Sequence, residues 1–286
     1  MIWIVLAILS STSIFVVFKL LQRFNIPTLQ VIVVNYVVAG SFGFALAGGV
    51  PVFDDANTNW LLPAIVIGAL FIVNFFLIGY SSQNIGISIT TVAGKMSVIF
   101  PMVFSIWFYS EALSLLKISG IILALISVFM AVYSKTQTHL NSSKMLVPLI
   151  IFVLMGITDA LVKYAQDAWV NDSIAPVFSA SLFSIALICG LLYMMFVPKK
   201  FAGFLKWQVW VAGIVLGLVN FGSIYFIILS LNSNVFDSSI VFGIVNICIV
   251  SLSVIIGRFI FNEILRPLNI IGIVLSVIAI FVFMLS

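Results

Sequence analysis

Ten apolar runs, each close to the roughly 20 residues a helix needs to cross a bilayer, follow one another with only short polar breaks between them. They fall near residues 2–21, 28–49, 60–82, 87–110, 116–134, 145–166, 173–197, 208–231, 236–261 and 267–285. A membrane β-barrel is excluded, because its strands alternate polar and apolar residues and these runs are apolar on every face. Composition sharpens the point. Of 286 residues, 64% are hydrophobic and 7% charged, against about 25% charged in a soluble domain. Twelve Lys/Arg and eight Asp/Glu cannot solvate the surface of a globule this size. That excludes a cytosolic enzyme, a nucleic-acid binder and a disordered chain. The fold class read here is all-α integral membrane, with ten transmembrane helices and the lipid bilayer as surroundings. Cys189 and Cys248 lie inside apolar runs and read as small buried hydrophobes.

The breaks carry loop chemistry, such as Asn25-Ile26-Pro27, Asp54-Asp55-Ala56-Asn57 and Pro198-Lys199-Lys200. The first basic residues, Lys19 and Arg23, follow the first run rather than precede it. A signal peptide has the reverse order. Arg23, Lys135, Lys144, Lys199, Lys200, Lys206, Arg258 and Arg266 all fall in the loops after odd-numbered spans, while the opposite loops hold Lys117 and most of the acids. Basic loops stay in the cytoplasm, so both termini are expected outside it. The net charge of +4 belongs to these flanking loops and does not point to nucleic acid.

The chain also repeats itself. A shift of 152 residues lays Glu111–Phe129 on Glu263–Phe281 with nine of nineteen positions identical, and Glu111/Gly120 fall on Glu263/Gly272. Lys19 and Gln22 pair with Lys163 and Gln166, and Val73-Asn74-Phe75 with Val219-Asn220-Phe221. The expected organisation is a five-helix repeat over 1–136, a cytoplasmic connecting loop over 137–143 and a second repeat over 144–286. Five is odd, so the second repeat is inverted relative to the first. Inverted repeats let a secondary transporter exchange two similar conformations around a midplane site.

The ten helices, the doubled unit and Glu-x8-Gly before each repeat's last helix resemble the drug/metabolite transporter superfamily, EamA-type branch. The resemblance spans essentially the whole chain. It implies an alternating-access carrier or exporter of small metabolites in a bacterial inner membrane. It also implies a proline in the fourth helix of each repeat. Pro101 meets that in the first; the ninth span has no proline.

Charges inside a membrane are expensive and mark function or pairing. Lys95 stands about 12 Å into the fourth span at 1.5 Å per residue, with no acid at helical spacing. Either it faces a wet cavity and attracts a carboxylate or phosphate, or its stem snorkels to the interface or bonds neighbouring carbonyls. Asp159 and Lys163 are four apart on one helix face; they form a structural ion pair or offer groups to a substrate. Asn74, Asn220 and Asn246 fall near mid-span, where a buried amide bonds another helix or points at a ligand. Ser11 and Thr12 belong to a polar patch in the first span, and Tyr36 and Trp107 either stack on a ligand or pack. Glu111 and Glu263 read as starting the fifth and tenth spans, favoured there by the helix dipole, with Asn262 as a cap; the alternative makes them latches on two gates. Gly213-x3-Gly217 has the spacing of close helix packing. The candidate substrate-binding set is Lys95, Asn74, Asn220, Asn246, Asp159, Lys163, Ser11, Thr12 and Tyr36.

Enzyme motifs, metal-ligand clusters and nucleotide loops are missing from the sequence, whose single histidine, His139, lies in a loop. No cofactor and no catalytic residue are expected. The function expected is secondary transport of a small organic metabolite or drug, in the export direction. The alternatives are a non-transporting sensor or assembly factor, which has no use for inverted repeats, and a lipid-carrier flippase, which needs a lateral opening.

Overall fold

The computed structural model describes residues 2–46, 60–108, 114–132, 142–169, 175–196, 198–232 and 238–285. They form α1 (Ile2–Arg23), α2 (Thr28–Leu46), α3 (Leu61–Asn84), α4 (Ile87–Met96), α5 (Ile99–Phe108), α6 (Leu115–Val132), α7 (Ser142–Trp169), α8 (Ala175–Met195), α9 (Trp207–Asn232), α10 (Ser238–Phe259) and α11 (Pro267–Met284). The chain is all-helical among the described residues, and nine helical stretches are long and apolar enough to cross a membrane. The shorter apolar stretch Ile244–Phe259 in α10 supplies the tenth. It is a multi-pass membrane protein. One short element departs from the sequence reading: Pro198–Leu205, read as a loop, winds into a 3-10 helix. The Trp210 indole donates to the Phe204 carbonyl at 2.9 Å and ties it down.

The fourth span is broken. α4 ends at Met96 and α5 begins at Ile99. Pro101 has no amide hydrogen to offer the Ser97 carbonyl four residues back, and its ring crowds that carbonyl. The carbonyl instead accepts from Phe100 N at 2.9 Å, a tighter turn than the α-helix. The proline thus breaks the helix one turn before itself.

α6 packs along α11, α9 along both α1 and α2, α8 along α2 and α3, and α7 along α3, α4 and α5. α10 lies against α1, α4 and α11. Close approach is bought at glycines. A Cβ on Gly272 of α11 would stand 2.4 Å from the backbone nitrogen of Ala131 on α6, and one on Gly120 of α6 would meet the Phe283 ring. Gly213 and Gly217 press α9 against Val34 and Val38 of α2, the contact their spacing predicts. Outward faces stay apolar: Leu115, Ile122 and Phe129 of α6 are exposed. For a chain in lipid these are not a liability but the bilayer-facing surface.

Candidate functional site

The break in the fourth span sets a polar layer at mid-membrane depth. Lys95 and Ser97 stand at the end of α4 and just beyond it, facing α7. The Ser97 hydroxyl lies 2.6 Å from the Gly94 carbonyl and 3.2 Å from Asp159 Oδ2. A hydroxyl has one proton, so it serves one of these acceptors at a time. Lys95 feels the charge of Asp159 without a direct hydrogen bond to it. Asp159 lies deep in the protein and yet is exposed, and Lys95 is half-buried.

Helical geometry shows that this exposure is not toward lipid. Leu146, Ile150, Val153 and Ile157 make an exposed apolar stripe along α7. Asp159 stands about 200° around the helix from Ile157, at roughly 100° per residue. A cleft lies on the stripe side. It has a volume of about 640 Å³ and is lined by Phe100, Phe104 and Trp107 of α5 with Leu161 and Tyr164 of α7, among others. Its walls are almost wholly apolar, and Trp107 is 83% exposed. It offers nothing to orient a polar solute, and the polar layer rather than this cleft is the candidate site.

Around the charged pair the asparagines divide. Asn74 is buried on α3 and donates to Thr158 Oγ1 of α7 at 2.9 Å; its Oδ1 is buried without a partner. Thr158 precedes Asp159 on α7, so the Asn74 contact falls at the neighbouring chain position. Asn220, its repeat mate, donates to Asn35 Oδ1 of α2 at 3.1 Å and leaves Asn35 Nδ2 unpartnered. Asn246 is half-buried at mid-α10. A shift of 151 residues, one less than that of the glutamates, lays Asn246 on Lys95, and α10 packs against α4. Thr12 and Ser11 are buried on α1, with Thr12 Oγ1 unpartnered.

Other candidates take different places. Tyr36 is wholly buried, donates to the Phe71 carbonyl at 2.9 Å, and packs against Phe75 and Phe183. It is a core residue joining α2 to α3, not a surface for stacking a ligand. The Ser97 hydroxyl of the fourth span reaches Asp159, and Lys163 is half-buried one turn further along α7. The broken fourth span thus brings its own polar groups to the carboxylate.

Glu263 does not begin the tenth span. α11 starts at Pro267, where Arg266 N donates to Asn269 Oδ1 at 3.1 Å. Asn262 is in the left-handed region at φ 53° and makes a turn rather than a cap. The Glu263 carboxylate crosses instead to the start of α4 and accepts from Ile87 N, Ser88 N and Ser88 Oγ. The helix N-terminus that favours the charge is therefore real but belongs to another helix. Glu111, its repeat mate, lies outside the described residues, as do Asp54, Asp55 and His139.

Sequence reasoning passed over Ser97, Thr158 and Asn35. For Ser97 a signal existed: a hydroxyl four residues before Pro101 sits where a proline frees a carbonyl. Thr158 and Asn35 became visible only through their tertiary partners. Among the described residues no group of three His, Cys, Asp or Glu side chains is placed to hold a metal ion.

Comparison with known proteins agrees with the membrane fold. The chain is similar to an uncharacterized protein of Haemophilus influenzae, 28% identical over 295 residues that take in 97% of this chain and 96% of that protein. Residues 1–133 match the EamA-like transporter family, which bears out the resemblance to the drug/metabolite transporter superfamily.

Proposed function

We propose that the chain is a secondary transporter of small organic metabolites or drugs, working by alternating access around the polar layer at Lys95 and Asp159, in the export direction. The observation that carries this reading is the opposed charge pair at the break of the fourth span. Half-buried Lys95 and exposed Asp159 share a mid-membrane layer, and interrupted helices are where membrane carriers place their ligands. Lys95 attracts a carboxylate or phosphate. Asp159, with Asn74 and Asn246, orients the rest of the molecule through hydrogen bonds.

Two inverted halves, 1–136 and 144–286, are part of the same reading. Support comes from how the helices pair. Number the spans one to ten, with α4 and α5 together as the fourth. The contact of the first span with the eighth has its counterpart in the third with the sixth, and second–eighth in third–seventh. First–ninth has its counterpart in fourth–sixth, while second–seventh, fourth–ninth and fifth–tenth map onto themselves. Gly120 and Gly272, equivalent in sequence, each face the other helix at the fifth–tenth crossing, Gly120 against Phe283 and Gly272 against Ala131. Exchanging the halves leaves these pairings unchanged, as a half-turn axis in the membrane plane requires, while the first–third contact has no comparable counterpart among the described residues. With the basic loops in the cytoplasm, both termini lie outside it, in a bacterial inner membrane.

The test is a metabolite uptake and efflux screen in proteoliposomes, with Lys95→Ala and Lys95→Arg beside the parent. A substrate moved by the parent, lost in Lys95→Ala and partly recovered in Lys95→Arg supports the reading. Equal transport by all three removes Lys95 from the site.

A further inference from the structure

The end of the bundle where α1, α3 and α10 finish and α4 begins is closed by one carboxylate. Glu263 lies in the turn between α10 and α11, yet both its oxygens are taken up by the first residues of α4. Ser88 donates twice, from its hydroxyl at 2.8 Å and from its amide at 3.2 Å, and the Ile87 amide donates to the other oxygen. The surrounding backbone is shaped for that group. Gly86, which turns the chain from α3 into α4, has φ 139°, a conformation side-chain-bearing residues rarely adopt. A Cβ there would stand 2.9 Å from Glu263 Oε1, and one on Gly257 of α10 would stand 2.5 Å from Oε2. One glycine in the α3–α4 turn and one on α10 thus leave the space one carboxylate fills.

The turn that presents Glu263 is itself held. Glu263 N donates to the Gly257 carbonyl at 2.8 Å, and Arg258 donates to the Glu263 carbonyl at 3.2 Å. Lys19, within electrostatic reach of the carboxylate, donates to the Gln83 carbonyl at 3.0 Å, and the Gln83 amide reaches Thr28 Oγ1 at 2.7 Å. So α1, α2 and α3 are tied together beside the contact, but α4 and the α10–α11 turn are joined through Glu263.

We propose that Glu263 is a gate latch: it holds the start of α4 against the α10–α11 turn, and its release opens this end of the bundle toward the polar layer at Lys95 and Asp159. The proposal rests on the transport reading, since only a protein that opens at its ends needs a releasable contact there. A fixed cap needs neither a partner from the other half of the chain nor a second glycine cut away around it. Three hydrogen bonds converge on one charge, so a single group controls the joint.

The test uses the full chain in lipid nanodiscs with Cys189 and Cys248 replaced. Nitroxides at Asn84→Cys, before α4, and Phe259→Cys, at the end of α10, report the separation by pulsed electron resonance. Glu263→Ala and Gly257→Ala are expected to raise the population of a longer separation by about tenfold, the factor for one lost hydrogen bond to a charged group. Glu263→Gln, which keeps an acceptor but no charge, should give a smaller rise. Unchanged separations in the folded variants overturn the latch, as does a lower folded yield with unchanged separation, which marks a fixed cap. If Glu263→Ala does not fold, Glu263→Gln and Gly257→Ala decide by the same measure. No substrate is needed. A shifted separation with no transport by the parent keeps the latch and fails the transport reading; Lys95-dependent transport with unshifted separations does the reverse.

Discussion

Ser97 and Asp159 meet across two helices that are far apart in sequence, the hydroxyl 3.2 Å from the carboxylate, at the point where the fourth span breaks. The contact joins the polar backbone left by Pro101 to the one acid at mid-depth of α7, and it sets the charge that faces Lys95. Replacing Asp159 with Asn should cut transport about tenfold or more, the scale of one charge-assisted hydrogen bond. Folded yield should change little, because the carboxylate keeps exposed surface. Asp159→Glu should recover part of the activity. Initial rates in proteoliposomes check this; undiminished transport by Asp159→Asn takes the carboxylate out of the site.

Pro101→Ala returns an amide hydrogen to the Ser97 carbonyl. A proline inside a helix costs about 3 kcal/mol, so the variant should melt at a higher temperature in detergent as the fourth span straightens. Straightening swings Ser97 and Lys95 away from Asp159, and transport should fall. Higher stability with undiminished transport would show that the break has no part in function.

The Asn74–Thr158 bond tethers α3 to α7. Thr158→Val removes the acceptor and leaves both polar atoms of the Asn74 amide buried without partners. Hydrogen bonds between membrane helices contribute about 0.6 kcal/mol on average, up to about 1.7. The expected loss is at the upper end of that range, read from reversible unfolding in mixed micelles. No loss would mean that water in the cavity replaces the hydroxyl.

The two glycines of the repeat motif should respond differently to a methyl group. On Gly272 it would press on the backbone of Ala131, which cannot move without parting α6 from α11. On Gly120 it would press on the Phe283 ring, a side chain rather than backbone. Overpacking costs about 1–3 kcal/mol, so Gly272→Ala should lose folded protein while Gly120→Ala loses less. Thermal melting of the purified variants distinguishes them, and equal losses would contradict this account of the crossing.

The helices were legible in the sequence because lipid imposes a length and a polarity on each span. Nine spans lie within about three residues of where the apolar runs place them, and the fourth differs by its break. Even there Pro101 carried the cause, though not the fact that Ser97 and Lys95 would be brought to Asp159. Tertiary partners were not legible. Asp159 and Lys163 share a face on α7, but that spacing does not show that Ser97 of a second helix reaches the carboxylate. Glu263 stands four residues before α11, near enough to pass for its cap, while its carboxylate reaches a helix 175 residues earlier in the chain. A membrane helix shows which residues are polar; which of them meet depends on packing that no local pattern encodes.

The central claim is that Lys95 stands in a cavity opened alternately to each side of the membrane. Place Cys at position 95 in a chain with Cys189 and Cys248 replaced, and add a membrane-impermeant thiol reagent to right-side-out and to inverted vesicles. The account predicts labelling from both sides, slowed by a transported substrate. Labelling from neither side, with transport unaffected in Lys95→Ala, would contradict it.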